Sequence, residues 1–170
     1  MLLLRTVIFT LLVPGTVVVL IPRWLLASGA SQPWASLGPV RYVGLLPLVL
    51  GAALYFRCVW NFLFTGKGTP ATWFTRPVRA LIGEEPSVFV SRGPYRIVRN
   101  PMYVGVTLAL LGQVVLFQSW TLLAYAALGW VTFHFVVVAL EEPHLREKFG
   151  ESYERYCRAV PRWLPGRRRP

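Results

Sequence analysis

Acidic side chains are scarce in this 170-residue chain: Asp and Glu together number 7, against 18 Lys and Arg. In a soluble protein that excess would suggest a nucleic-acid partner, but no RNA- or DNA-reading motif accompanies it. Cysteine is scarcer still. Cys58 and Cys157 lie far apart, which gives neither a metal-ligand spacing nor a disulfide framework, and both are read as free thiols. His134, Glu141 and His144 would not naturally converge, so no metal is expected. Gly66-Lys67-Gly68-Thr69 lacks the spacing of a phosphate-binding loop and is read as a turn. There is no internal repeat of the kind that many small transporters show.

What the chain has in excess is apolar surface. Hydrophobic residues make up 55% of it and the mean hydropathy is +0.50, too apolar for an ordinary soluble domain. The long uncharged runs predict an all-α integral membrane protein with about four transmembrane helices in a single domain. The first run, Thr6 to Ile21, is broken by Pro14-Gly15 and closed by Pro22. Further apolar spans follow it, so it is read as a first transmembrane helix rather than a signal peptide. Val40 to Phe64 is the second span, with a kink expected at Pro47 and with Gly44 and Gly51 on one face for close helix approach. Arg57 and Asn61 share a face near its end, where an arginine snorkels to the interface.

Residues 65–100 form a long polar connection carrying Lys67, Arg76, Arg79, Arg92, Arg96 and Arg99. Within it, Val88-Phe89-Val90 is read as a short strand or as a dip into the interface, and the stretch from Trp73 to Val90 otherwise has no assignment. Pro101 to Phe117 and Trp120 to Leu140 are the third and fourth spans. Only Gln118-Ser119 separates them, which predicts a tight antiparallel hairpin. Gly105, Ala109 and Gly112 make a small-residue stripe on the third span. After Glu141, the residues Leu145, Phe149, Tyr153 and Tyr156 recur at helical spacing among charges. They predict an amphipathic segment, ended by Val160-Pro161, that lies on the membrane surface or folds over the site. Arg167–Arg169 is a basic end suited to lipid contact. Residues 1–64 thus carry two spans, 65–100 the connection, 101–165 the candidate functional core and 166–170 the tail.

All basic residues except Arg23 and Arg41, and all the acids, fall on the side shared by the N-terminus, the connection and the tail. The positive-inside rule makes that side cytosolic, and a bacterial inner membrane is the expected location. Two polar clusters lie there. One is Gly93–Gly105, GPYRIVRNPMYVG. Asn100 suits an N-cap and Pro101 the first helical position, while Arg96, Arg99, Tyr95 and Tyr103 make this helix start attractive to an anionic, aromatic ligand. The other is Glu141-Glu142-Pro143. Two adjacent carboxylates at the end of a helix oppose its dipole and call for a cation: Arg96, Arg99, Arg158 or a ligand. His134 lies seven residues earlier, nearly on the same helical face, and is a candidate functional histidine.

GPYRIVRNPMYVG, a tight hairpin and then EEPHLREKFGESYERYCRAVPRWLP resemble the membrane methyltransferase superfamily of isoprenylcysteine carboxyl methyltransferases and phospholipid (phosphatidylethanolamine) N-methyltransferases. The resemblance covers Gly93 to Pro165, with a fainter echo in Gly66–Pro70. It implies S-adenosylmethionine as cofactor, enclosed between the last spans and the C-terminal segment. The Arg-x-Pro-x-Tyr element falls on Arg99, Pro101 and Tyr103. Asn100, where many members have His, and the Glu-Glu-Pro run resemble the phosphatidylethanolamine branch. The arginine that carboxyl methyltransferases carry shortly before the acidic pair is replaced by Val136–Leu140. The resemblance implies a cofactor site of Tyr95, Arg99, Asn100, Pro101, Tyr103, Glu141 and Glu142. In it the acids would hold the ammonium, Arg99 the carboxylate, and the tyrosines the adenine or sulfonium. Glu142, His134 and Arg99 are the catalytic candidates, with Glu142 or His134 taking the proton from an amine acceptor. The expected acceptor is a lipid or another membrane-partitioning molecule, an amine or a carboxylate, entering from the bilayer. The rival readings are an NADPH-dependent membrane reductase of related architecture and a non-enzymatic membrane scaffold.

Overall fold

A computed structural model describes residues 2–29, 33–34, 36–66, 68 and 89–166. Lys67, Thr69 and Pro70, the loop arginines Arg76 and Arg79, Val88 and the Arg167–Arg169 end lie outside the described residues. The chain is an all-α membrane protein. Its helices are α1 (Leu2–Ala27), α2 (Gly38–Gly66), α3 (Pro101–Phe117), α4 (Trp120–Phe149) and α5 (Glu151–Ala159). α1, α2 and α4 are long and apolar enough to cross a membrane, whereas α3 is a shorter apolar helix of 17 residues. Their outward faces expose large apolar side chains, among them Leu4, Leu46, Leu128 and Phe135, as surfaces facing lipid do.

α3 begins and ends where the sequence predicts. Gln118 takes a left-handed conformation at φ 52° to end it, and the Ser119 hydroxyl accepts from Leu122 N–H (3.2 Å) to cap α4. The hairpin tip also anchors the connection between α1 and α2. The Trp34 N–H donates to the Gln118 carbonyl (3.0 Å), and the Leu37 N–H donates to the Gln118 side chain (2.9 Å). Among the described residues, the one extended pairing is an isolated bridge between Pro33 and Ser119. Phe89 forms no strand. Its ring lies instead among Phe149, Tyr153 and Tyr156.

The expected ends of the first and fourth spans change. α1 is not broken at Pro14-Gly15 or closed at Pro22. It runs through both by widening to a π turn over Thr16–Leu20. Pro22 has no N–H to give the carbonyl four residues back, Val18. Gln113 on α3 supplies that bond (2.8 Å), and the Tyr125 hydroxyl on α4 serves the adjacent Val17 carbonyl (2.9 Å). In a bilayer no water would do this. In α4 the helix does not stop at Leu140. A second π turn, Val137–Glu141, shifts the ladder so that Glu142 N–H reaches Val137 O, and Pro143 then sits in the first turn of the next helical stretch, Glu142–Phe149. Pro47 likewise falls in the first turn of the α-helical part of α2, after a tighter 3-10 stretch over Gly38–Gly44.

The tightest contact is between α2 and α3, where the two small-residue stripes meet. A Cβ on Gly44 would lie 2.5 Å from Gly112 O, and one on Gly105 2.8 Å from Gly51 O. The partner of the α3 stripe is therefore α2. Tyr55 and Val59 from α2, Val106, Leu110 and Val114 from α3, and Leu122 and Ala126 from α4 form the buried core beside this contact. This packing fixes the end of the bundle where α1 starts, α2 ends and α3 begins.

Candidate active site

The approach to α3 is shaped by one glycine. Gly93 has φ +60°, and a Cβ there would run into the Asn61 side chain, whose amide donates to the Arg92 carbonyl (3.3 Å). A short 3-10 turn, Gly93–Arg96, follows. It buries Tyr95, whose ring meets Phe62 edge-on at 5.6 Å, while the Tyr156 hydroxyl donates to the Tyr95 carbonyl (2.6 Å). Burial pushes both phenols up from their usual range, so they stay neutral.

Residues 160–163 leave α5 and run alongside residues 98–100. The Arg99 N–H donates to Pro161 O (2.8 Å). Asn100 holds the N-cap position, but its side chain makes no capping bond; its amide donates instead to the Arg162 carbonyl (3.3 Å). Pro101 occupies the first turn, fully buried. The predicted cap is thus spent on fastening the C-terminal strap.

Glu142 stands at the centre of the charge. It is 2% exposed. Arg162 grips it as a fork, Nε to Oε1 at 2.7 Å and Nη2 to Oε2 at 3.0 Å, the strong bidentate geometry. Arg99 Nη1 reaches Oε1 at 3.1 Å, and Arg146 Nη2 lies 3.5 Å from Oε2. Arg146 is also paired with Glu154 at 2.7 Å. Arg99 donates to the Cys157 sulfur (2.8 Å), and its Nε is buried with no hydrogen-bond partner among the described residues. Glu141 accepts from the Tyr103 hydroxyl (3.0 Å).

The structure therefore joins the two sequence clusters through Arg99–Glu142 and Tyr103–Glu141. The expected dipole conflict disappears, because α4 continues beyond both acids. Arg96 and Arg158 are exposed; the cations on Glu142 are Arg162, Arg99 and Arg146. Sequence reasoning missed Arg162. Its only signal was its place just after Val160-Pro161, in the C-terminal part of the resemblance.

His134 does not join Glu142. It sits exposed on α4, and its Nδ1 accepts from Trp163 Nε1 (3.1 Å). His134 lies seven residues before Glu141 and eight before Glu142, with the π turn Val137–Glu141 between them; Glu142 is buried while His134 is exposed. The Glu142 oxygens are held by guanidinium donors instead.

A cavity of about 210 Å³ opens beneath this cluster. Tyr95, Arg99, Asn100 and Tyr103 form its polar end. The four apolar helices line the rest: Phe9, Val13, Pro14 and Val17 from α1, Tyr55 and Phe62 from α2, Met102 and Val106 from α3, and Thr132, Phe133 and Val136 from α4. One face of α5 packs inward: Tyr153 is buried and, with Tyr156, encloses Phe89.

Residues 81–152 match the family model described as phospholipid methyltransferase. The probable protein-S-isoprenylcysteine O-methyltransferase of Oryza sativa subsp. indica is 30% identical over 127 residues, 74% of this chain and 61% of that protein. Protein-S-isoprenylcysteine O-methyltransferase B of Arabidopsis thaliana is 34% identical over 138 residues, 81% of this chain and 63% of that protein. By these matches the chain is similar to the isoprenylcysteine and phospholipid membrane methyltransferases. It spans less than two thirds of the length of these relatives. The Schizosaccharomyces pombe protein-S-isoprenylcysteine O-methyltransferase aligns over 115 residues at 30% identity, 67% of this chain and 48% of that protein. No solved structure gives a significant match. Within the superfamily pattern, Arg99, Pro101, Tyr103, Glu141 and Glu142 are the positions this structure gathers at one end of the cavity.

Proposed function

We propose that the protein transfers a methyl group from S-adenosylmethionine to a lipid-like or membrane-partitioning acceptor. The observation that carries this reading is the two-part cavity, with a guanidinium and hydroxyl end at the acid pair and a body lined by apolar side chains of α1, α2, α3 and α4. The residues present fit the cofactor. The buried Arg99 Nε, unpartnered among the described residues, is a donor for a carboxylate, Glu141 is an acceptor for an ammonium, and the Tyr103 ring is a face for a sulfonium or an adenine.

S-adenosylmethionine, when bound, supplies an electrophilic methyl carbon. The protein's own work is to align the acceptor with that carbon and exclude water. The strap and α5 cover the polar end, and the apolar walls hold the acceptor's tail. Glu142 acts by fixing Arg99 and Arg162. With Glu142 committed and His134 outside the cavity, the site favours an acceptor whose nucleophile arrives unprotonated. A carboxylate is the simplest case.

The test is calorimetry with S-adenosylmethionine, and NADPH alongside, on the protein in nanodiscs, followed by labelled-methyl transfer into lipid extracts. Expected are binding of S-adenosylmethionine alone and a product whose label is released as methanol by mild base, as from a methyl ester. Tyr103→Phe removes the bond to Glu141 and keeps the ring. It should weaken cofactor binding about tenfold, equivalent to ~1.4 kcal/mol. A folded protein that ignores S-adenosylmethionine would overturn the reading, and a base-stable label would move the acceptor to an amine.

A further inference from the structure

His134 has a role that the proposed chemistry does not use. α4 is long and apolar enough to cross a membrane, and on such a surface an indole N–H without a partner is costly. Trp163 Nε1 finds its partner in His134 Nδ1 at 3.1 Å. The Trp163 ring also lies 4.5 Å from Trp130 and 6.4 Å from Tyr103 by centroid. It thus fastens the strap to the outside of α4. One residue earlier, Arg162 forks Glu142, and its carbonyl takes the Asn100 amide. Pro161 O takes the Arg99 N–H. The strap is thus pinned to α3 through its backbone, to Glu142 through a charge, and to the flank of α4 through the indole.

We propose that His134 is a positioning residue: by accepting from Trp163 it latches the C-terminal strap shut over Arg99, Asn100 and Glu142. For Nδ1 to accept, the ring proton sits on Nε2. The latch acts on the polar end of the cavity and so affects cofactor affinity through the strap, without touching the reacting atoms. That consequence rests on the functional reading above. The latch itself is measured without any ligand.

Backbone hydrogen exchange of the protein in nanodiscs, with no cofactor added, tests it. His134→Leu removes the acceptor, and Trp163→Phe removes the donor while keeping a ring. Each should speed exchange at Arg99, whose N–H is bonded to Pro161 O, about tenfold, equivalent to ~1.4 kcal/mol, and leave the α2–α3 contact unchanged. His134→Asn places an amide oxygen near the position of Nδ1 and should restore slow exchange. The double variant His134→Leu/Trp163→Phe should exchange no faster than either single one, the signature of a shared interaction. Unchanged exchange in His134→Leu, no rescue by Asn, or additive effects would each overturn the latch. S-adenosylmethionine binding, run in parallel, should weaken in His134→Leu and recover in His134→Asn. A wild-type protein that does not bind the cofactor would overturn the functional reading, while the exchange pattern would still decide the latch.

Discussion

One carboxylate facing three guanidinium groups is an unusual thing to bury, and Glu142 shows what it does. Its fork with Arg162 joins the strap to α4, its contact with Arg99 joins α4 to the approach to α3, and neither contact is replaceable by a neutral amide. In Glu142→Gln the arginines face one another without a counter-charge. The expected cost is about 3–5 kcal/mol, the range for breaking a buried pair from one side. Thermal unfolding in detergent, followed by circular dichroism, should show a large fall in midpoint. Arg162→Lys keeps the charge but loses the fork and should fall less. An equal fall for the two variants would show that geometry, not charge, holds the cluster. Because Glu142→Gln disturbs so much at once, loss of cofactor binding in that variant does not identify a contact; Tyr103→Phe is the cleaner probe. At this scale the sequence revealed Arg99, Tyr103 and the acid pair as one site, because the superfamily spacing carries them together. Arg162 stayed hidden because 20 residues separate it from Glu142. Their meeting depends on the reversal at Gly150, where φ is +51°, and on the strap.

Helices explain the rest of what was legible and what was not. The stripes Gly44/Gly51 and Gly105/Gly112 announced a close backbone contact, and the structure supplies it. A methyl group has nowhere to go there: at Gly112 a Cβ would meet Gly44 O and Leu48 N at 2.6 Å. Gly112→Ala should therefore destabilise the bundle by about 2 kcal/mol or more, since backbone cannot step aside as a side-chain end can. Gly129 is the control. A Cβ there finds only Leu110 Cδ1 at 3.9 Å, and Gly129→Ala should be neutral or raise stability by up to ~1 kcal/mol through helix propensity. Equal behaviour of the two variants in thermal unfolding would remove the packing argument. The prolines misled the reading for a definable reason. Pro22 is a helix breaker by local rules and is expected to close the first span; the fourth span is expected to end at Leu140, ahead of Pro143. Here each break is absorbed, by a π turn and donors from α3 and α4 in the first case and by a one-residue shift of the ladder in the second. Neither compensation can be seen without knowing which helices are neighbours.

At the scale of the whole molecule the candidate site lies at one end of the bundle, and we propose from the charge pattern that this end faces the cytosol. Arg23 belongs to the end of α1 that leads toward the hairpin tip, and Arg41 to the start of α2. The remaining basic residues belong to the N-terminus, the connection, the end of α2 and the C-terminal segment. Such an asymmetry orients a chain with its basic side inward. A charged, water-soluble methyl donor must also come from the compartment that holds it, so orientation and chemistry make one joint prediction. Ser36 and Glu147 are exposed at opposite ends of the bundle. In a Cys157→Ser background, where the remaining Cys58 is fully buried, Ser36→Cys should react with a membrane-impermeant maleimide on intact bacterial cells. Glu147→Cys should react only after lysis. The reverse pattern would place Arg99, Tyr103 and the acid pair outside the cell, away from S-adenosylmethionine. It would sink the orientation and the cofactor assignment together, whereas the predicted pattern leaves the cavity as a route between a cytosolic donor and an acceptor held in the bilayer.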